Sequence, residues 1–255
     1  MGFVEPHQHI DALVGDGELL AGAAERASLQ AAVPTCPGWQ VRDLLRHLGY
    51  VHRWARAHVA GAAKDMVDGR PEREILTSGP DDAALACWFR QGHAALVETL
   101  RSADPGLSCW TFLDAPSPLA FWARRQAHET AIHRADAERA AGSPTPFAPE
   151  FAADGIDELI MGFAPRRRRR TLPVAGRALQ VRATDTGHEW LVTLGPEAVA
   201  VRRGRSPGDC MVAGGASDLY LLLWNRIDAA GSGAHISGDA EVLRLWQTGM
   251  RVRWQ

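Results

Sequence analysis

The sequence predicts an α+β protein, in which an N-terminal four-helix bundle precedes a smaller C-terminal α/β domain. Two observations support this class. The first ~150 residues show the apolar periodicity of amphipathic helices, interrupted by Gly and Pro. After Pro149, short β-favouring runs flanked by Gly, Pro or Asp take over. A chain of 255 residues has room for two modest domains, and we place them at residues 1–148 and 149–255.

Helix signals divide the N-terminal domain into four segments. Pro37 and Gly38 separate the first two helices, and Asp81 and Asp82 suit the N-terminus of the third. The second helix carries an apolar stripe, and Gly142 with the following Pro-rich residues ends the fourth. The predicted helices span residues 7–31, 40–60, 81–101 and 118–141, and their short connections indicate a bundle.

The C-terminal domain reads as several short strands followed by two helices. Residues 154–163 form a further candidate helix that bridges the domains. The predicted strands span residues 178–185, 189–195, 198–202 and 209–214, and the predicted helices span 217–227 and 239–248, with the short sequence HISG between these helices.

Composition indicates an ordinary globular protein. The chain is 46% hydrophobic and 23% charged, with a net charge of −2, which gives no reason to expect nucleic acid or an anionic membrane as a partner. No run approaches the ~18 apolar residues of a membrane span, and the N-terminus lacks the apolar core of a signal peptide. We therefore expect a cytoplasmic protein that binds no membrane. A monomer is the default expectation.

Two further local features carry no chemistry in this interpretation. The four cysteines are far apart without a CxxC pair, so we expect reduced thiols. The five arginines from Arg166 to Arg170 are typical of a solvated linker or loop, although such a run could also contact phosphate or carboxylate.

The candidate site lies on the fourth predicted helix, in RRQAHETAIHRADAE. Glu129 and His133 are four residues apart and therefore point the same way. Such a pair is usually a surface ion pair. However, their stripe is bracketed by Trp122 and Ile132, while the charged Arg124, Arg125, His128 and Glu138 suit a solvent face on the opposite side. This arrangement favours an inward orientation for Glu129 and His133.

A third candidate, His47, shares the apolar face of the second helix, in WQVRDLLRHLGYVHRW. Taken alone, it is typical of a hydrogen-bonded core histidine. Two imidazoles and one carboxylate inside a bundle are costly to leave unpaired, however, and they can hold a zinc ion with one coordination position open. The spacing therefore leaves a zinc site and ordinary buried polar residues as two open interpretations.

These segments resemble the mycothiol-dependent maleylpyruvate isomerase family. The resemblance is carried by VPTCPGWQVRDLLRHLGYVHRWA and WARRQAHETAIHRADAE in the first half, and by ATDTGHEWLVTLG, GASDLYLLLWNRI and ISGDAEVLRLW in the second. It implies a DinB-like N-terminal bundle, with His47, Glu129 and His133 as zinc ligands and mycothiol as the thiol cofactor. It also implies an active-site arginine from the C-terminal domain, for which we take Arg226.

The implied chemistry is activation of a small thiol toward a small electrophile that can carry a carboxylate. Reversible addition would give cis–trans isomerisation, and retention of the sulfur would give S-transfer. Arg226 could bind the carboxylate, or it could simply pair with helix C-terminal carbonyls. Two alternatives remain: a zinc hydrolase using metal-bound water, and a non-catalytic metal-binding or regulatory protein.

Overall fold

The computed structural model describes residues 4–166, 176–195 and 198–250. It divides into two compact units, residues 1–145 and 146–255. The α+β fold class is confirmed. Of the Arg166–Arg170 run, only Arg166 lies within the described residues. None of the described helices is long and apolar enough to cross a membrane.

The N-terminal unit is built from four long helices and one short one. α1 packs along α5, and α2 packs along α4. The predicted stripe of α2 is buried, with Leu44 and Leu48 fully enclosed. The helices are α1 Pro6–Ala27, α2 Val41–Ala60, α3 Gly69–Leu76, α4 Asp82–Ser102 and α5 Pro118–Ala140.

Helix boundaries follow local chemistry. The Ser117 hydroxyl accepts a hydrogen bond from the backbone N–H of Ala120, and Pro118 supplies the fixed φ of the first turn of α5. α1 ends four residues earlier than predicted, because Ser28 adopts a φ of 70° that no helix continues. The short helix α3 was not predicted, and it buries no residue.

The C-terminal unit contains a five-stranded mixed sheet in the order β3-β2-β1-β4-β5. β1 pairs antiparallel with β2 and parallel with β4, and β2–β3 and β4–β5 are antiparallel. The strands are β1 Arg177–Ala183, β2 Glu189–Leu194, β3 Val199–Arg203, β4 Cys210–Gly214 and β5 His235–Gly238. The HISG sequence is therefore the fifth strand.

Within the described part of this unit, three α-helices accompany the sheet. α6 (Pro149–Asp157) packs on α7 (Ala216–Leu223), and α8 (Ala240–Gly249) follows β5. The predicted helix 154–163 begins earlier, at Pro149, and continues through a π-helical segment, Glu158–Phe163. α7 ends before the predicted residue 227, since Asn225 has a φ of 60°. Asp157 anchors the unit by accepting hydrogen bonds from Trp190 Nε1 and, at both oxygens, from Arg203.

Candidate metal centre

The bundle brings His47 of α2 together with Glu129 and His133 of α5. Glu129 Oε1 lies 3.1 Å from His47 Nε2 and 3.5 Å from His133 Nε2. One ligand atom from each side chain lies within 4.8 Å of the others. The His47 side chain is 15% exposed, against 5% for Glu129 and 8% for His133. The cluster is therefore most accessible from the His47 side.

The spacing of these atoms suits a tetrahedral ion. Zinc bound at about 2.0–2.1 Å separates two tetrahedral ligand atoms by roughly 3.3–3.4 Å. The two distances from Glu129 Oε1, 3.1 and 3.5 Å, bracket that value. The donor set of two imidazoles and one carboxylate is one that zinc uses in catalytic sites. The residues present thus fit a divalent metal.

The tautomer of His133 gives a second reason to expect a cation in this cluster. His133 Nδ1 lies 2.8 Å from Asp136 Oδ2, and an ionised carboxylate only accepts hydrogen bonds, so Nδ1 carries the hydrogen. A neutral ring then directs the lone pair of Nε2 toward Glu129 Oε1. Two acceptors that face each other require a cation between them, either a proton or a metal ion.

The protonation preferences without metal agree with this requirement. Burial lowers the pKa of His133, but its hydrogen bonds to Asp136 and Glu129 outweigh burial, and the pKa is raised. Burial alone would raise the pKa of Glu129. The hydrogen bonds from His133 and His47 and the charge of Arg125 outweigh burial and hold this pKa well below the usual range. Burial lowers the pKa of His47. The cluster therefore retains an ionised carboxylate and a neutral His47.

Arg125 holds the second oxygen of Glu129. Its Nη2 donates to Glu129 Oε2 at 2.9 Å, and the guanidinium is 1% exposed. Oε1 is thereby left for the two histidines. The predicted solvent face of α5 is wrong on this point, since Arg125, His128 and Glu138 are all buried. His128 meets the ring of His9, and Glu138 accepts hydrogen bonds from the backbone and hydroxyl of Thr145.

A tight loop between α1 and α2, residues 33–39, lies over the histidines. It is closed by hydrogen bonds between Val33 and Trp39 and between Cys36 and Trp39, and Gly38 supplies a φ of 87°. The Trp39 ring stacks on His133, with centroids 6.2 Å apart, and meets His47 edge-on at 5.2 Å. The sequence of this segment is typical of a structural turn, and it is also compatible with a thiolate nucleophile at Cys36 before the second helix. The contacts of Trp39 with both histidines were not predicted.

Other histidines have their own partners. His52 bonds Thr130 Oγ1, His93 bonds the Leu13 carbonyl, and His58 bonds the Trp54 carbonyl and the Val67 amide. The Asp43 carboxylate accepts a hydrogen bond from the Gln40 backbone at the start of its own helix. The hydrogen bonds of Asp43 and His52 therefore lead to Gln40 and Thr130.

Arg226 belongs to the other unit and follows α7. Its Nη1 donates to the carbonyl of Trp224, the C-cap of that helix, at 2.9 Å. This is the contact expected of an arginine at a helix C-terminus. The residue is partly exposed, and its role toward a substrate stays a prediction.

The structure thus defines a two-unit protein in which a helical bundle carries a His2Glu cluster and an α/β unit follows. Residues 10–138 match the family described as the mycothiol maleylpyruvate isomerase N-terminal domain, and residues 150–245 match the family's C-terminal domain. The first match alone spans half of the chain. The chain therefore belongs to the mycothiol maleylpyruvate isomerase family, which is a family of enzymes, and the resemblance inferred from sequence is confirmed.

Two solved structures resemble the whole chain. One is the crystal structure of the mycothiol-dependent maleylpyruvate isomerase, and the other is a mutant of that enzyme in which a histidine is replaced by alanine. Each is 14% identical to this chain, covers 100% of both chains and has a TM-score of 0.63. At this identity the likeness shows a shared fold. No curated protein matches the chain significantly.

Proposed function

We propose that this protein is a zinc-dependent enzyme that uses mycothiol to isomerise a small cis-unsaturated acid of the maleylpyruvate type. The observation that carries the proposal is the convergence of His47, Glu129 and His133 within 4.8 Å in a member of this family. The zinc requirement rests on the donor set and its spacing, and the thiol rests on family membership.

His47 and His133 would hold the metal through Nε2, and Glu129 would hold it through Oε1. Zinc, when bound, lowers the pKa of a coordinated sulfhydryl so that it is a thiolate near neutral pH. Mycothiol would supply the sulfur nucleophile. Its addition to an activated cis double bond would permit rotation about the resulting single bond, and its release would restore the double bond in the trans form. The same addition without release would be S-transfer, so product analysis separates these two reactions.

The chain's own residues prepare this site. Arg125 directs one oxygen of Glu129 away from the metal position. Asp136 fixes the tautomer of His133. The indole of Trp39 shields both imidazoles from water on one side, and exclusion of water strengthens the charge interactions of the cluster.

We further propose Arg226 as the residue that binds the carboxylate of the substrate. Guanidinium and carboxylate form paired, charge-assisted hydrogen bonds. Replacement by Lys keeps the charge and removes the paired geometry, so kcat/KM should fall about 10- to 100-fold for an interaction of 1.5–3 kcal/mol. Arg244→Lys is a matched control, because Arg244 of α8 is 70% exposed and forms an ion pair with Glu241 three residues earlier in the same helix. If the Arg226→Lys and Arg244→Lys variants had equal kcat/KM, the proposal that Arg226 binds the substrate would be wrong.

The structure disfavours the hydrolase alternative. Such an enzyme would benefit from a free carboxylate base beside the metal, and Asp136 is the next carboxylate after Glu129 on α5. Both of its oxygens are engaged: Oδ1 accepts from the Thr35 hydroxyl and Oδ2 accepts from His133. A carboxylate that is fully buried and doubly hydrogen-bonded is poorly placed to take a proton from water.

Metal analysis tests the ligand set. Purified protein should contain one zinc per chain, and His47→Ala and His133→Ala should each lose most of it. His52→Gln is a matched control, since His52 lies one and a half turns from His47 on α2 but bonds Thr130 instead. Full zinc occupancy in both alanine variants, with circular dichroism showing intact helices, would overturn the ligand assignment.

A thiol panel tests the reaction. The zinc-loaded protein is assayed with maleylpyruvate in the presence of mycothiol, glutathione or no thiol. Mycothiol-dependent conversion to the trans isomer, without consumption of mycothiol, is the expected result. Stoichiometric loss of mycothiol into a thioether product would replace isomerase with S-transferase. No thiol-dependent turnover of maleylpyruvate or of a generic electrophile would overturn the enzymatic proposal.

A further inference from the structure

We infer that Asp136 is a positioning residue for the metal centre, through which the loop of residues 33–39 controls the orientation of the ligand His133. The inference rests on the proposed function, because it concerns the same metal site. Asp136 lies one turn beyond His133 on α5 and is fully buried.

Asp136 joins two parts of the chain that are about a hundred residues apart. Its Oδ2 accepts a hydrogen bond from His133 Nδ1 at 2.8 Å and also lies 3.5 Å from the Cys36 thiol. Its Oδ1 accepts a short hydrogen bond from the Thr35 hydroxyl. The carboxylate is thus held by donors from the loop on one side and by the histidine ring on the other.

These contacts determine both the tautomer and the orientation of His133. A histidine that donates through Nδ1 has its lone pair at Nε2, the nitrogen that faces Glu129. Trp39, at the other end of the same loop, stacks on the imidazole with an interplanar angle of 14°. The ring is therefore restrained at its edge by Asp136 and across its face by Trp39. Such carboxylate–histidine contacts raise the basicity of a metal ligand.

The alternative to a positioning role is that Asp136 is itself a ligand in a second metal site. Cys36, His133 and Asp136 also place one ligand atom each within 4.8 Å of one another. Occupation by an ion would require His133 Nδ1 to give up its hydrogen, and it would break the contact of 2.8 Å with Asp136. The observed hydrogen bonds satisfy both carboxylate oxygens without an ion. We therefore assign Asp136 to orientation of the ligand and not to coordination.

The experiment compares zinc affinity and histidine tautomer in four variants of the full chain, and a fifth variant, Cys36→Ser, is used for zinc stoichiometry alone. Asp136→Ala removes the acceptor, Asp136→Asn keeps the shape but leaves one acceptor oxygen, and Thr35→Val removes only the donor from the loop. Asp16→Asn is the matched control. Asp16, on α1, is a buried aspartate that accepts a hydrogen bond from Arg134 of α5, and Arg134 is not among the proposed ligands.

Zinc dissociation constants are measured by chelator competition, and the ring nitrogens of His133 are followed by ¹⁵N NMR. Asp136→Ala should weaken zinc binding about 10- to 100-fold, with a smaller loss for Asp136→Asn and a loss of a few fold for Thr35→Val. Asp16→Asn should leave the affinity within twofold of wild type. In metal-free wild type, Nδ1 should give a protonated-nitrogen shift that moves in Asp136→Asn. This shift would not respond to a general loss of stability.

The outcomes separate this inference from the proposed function. If wild type binds zinc tightly and both Asp136 variants bind it within twofold, with unchanged Nδ1 shifts, the inference is wrong and the proposed function stands. If wild type binds no zinc, both are wrong. If zinc stoichiometry in wild type is two and falls to one in Cys36→Ser, Asp136 is a ligand and the positioning role is overturned.

Discussion

The buried pair Arg125–Glu129 provides a test of how the bundle tolerates charge at the candidate metal centre. The substitution Arg125→Met removes the guanidinium and keeps much of the apolar volume. Arg125 Nη2 lies 2.9 Å from Glu129 Oε2, and the two side chains are 1% and 5% exposed. Without the arginine, and without metal, the ionised Glu129 would have only the two imidazoles to compensate its charge.

The magnitude follows from burial. Loss of one partner from a buried ion pair typically destabilises a protein by about 3–5 kcal/mol, because the other charge stays in a low-dielectric interior. Neither side chain is open to solvent, so solvent screening does not reduce this figure. Bound zinc would neutralise the same carboxylate. Arg125→Met should therefore lower the free energy of unfolding by about 3 kcal/mol in chelator-treated protein. The decrease should be clearly smaller after zinc is added back.

Urea unfolding with and without a chelator measures both values. Arg90→Met is the control, since Arg90 forms two ion pairs, with Glu18 and Glu25, but all three side chains are more than a third exposed. Arg90→Met should lower the free energy of unfolding by less than about 1 kcal/mol. Adding Glu129→Gln to Arg125→Met should recover part of the stability. A loss under about 1 kcal/mol for Arg125→Met in metal-free protein, or no recovery in the double variant, would refute this reasoning.

Two further predictions concern packing and pH. Gly17→Ala should cost about 1–3 kcal/mol of unfolding free energy, because a Cβ there would lie 2.2 Å from His93 Nε2. Gly15→Ala, in the same helix with nothing within 4 Å, should instead stabilise by about 0.5–1 kcal/mol; thermal unfolding that ranks the two variants the other way would contradict this packing. Burial holds the pKa of His52 well below 6.5, so the folded state binds fewer protons and stability is lost as pH falls below 6.5. His52→Gln should reduce that loss by up to about 1.4 kcal/mol per pH unit, and an unchanged slope in urea titrations from pH 7 to 5 would argue against it.

The long helices were predictable because their signals are local. The apolar stripe of α2 and the start of α5 at Pro118 are contained in neighbouring residues. Apolar periodicity could not detect α3, since that helix buries nothing. The end of α7 was also missed, because it depends on the positive φ of Asn225 rather than on a Gly or Pro.

The candidate site was only partly accessible to sequence reasoning. Spacing along α5 and the apolar face of α2 indicated the residues that could meet. The supporting groups were missed, because their partners lie far away in sequence or on the face assigned to solvent. Arg125 was placed outside since arginine is seldom buried, yet its partner stood four residues along the same helix. Thr35 and Asp136 are 101 residues apart in sequence. Apolar periodicity describes neighbouring residues and therefore cannot predict such a contact.

The order of elements along the chain also bears on how the protein is made. The three candidate ligands and the residues that hold them all precede residue 137. The central parallel pair of the sheet, β1 with β4, needs residues up to Gly214. A ribosome therefore delivers every group of the candidate metal centre before it has delivered the first strand of the sheet. The proposed zinc site therefore takes none of its three ligands from the second unit.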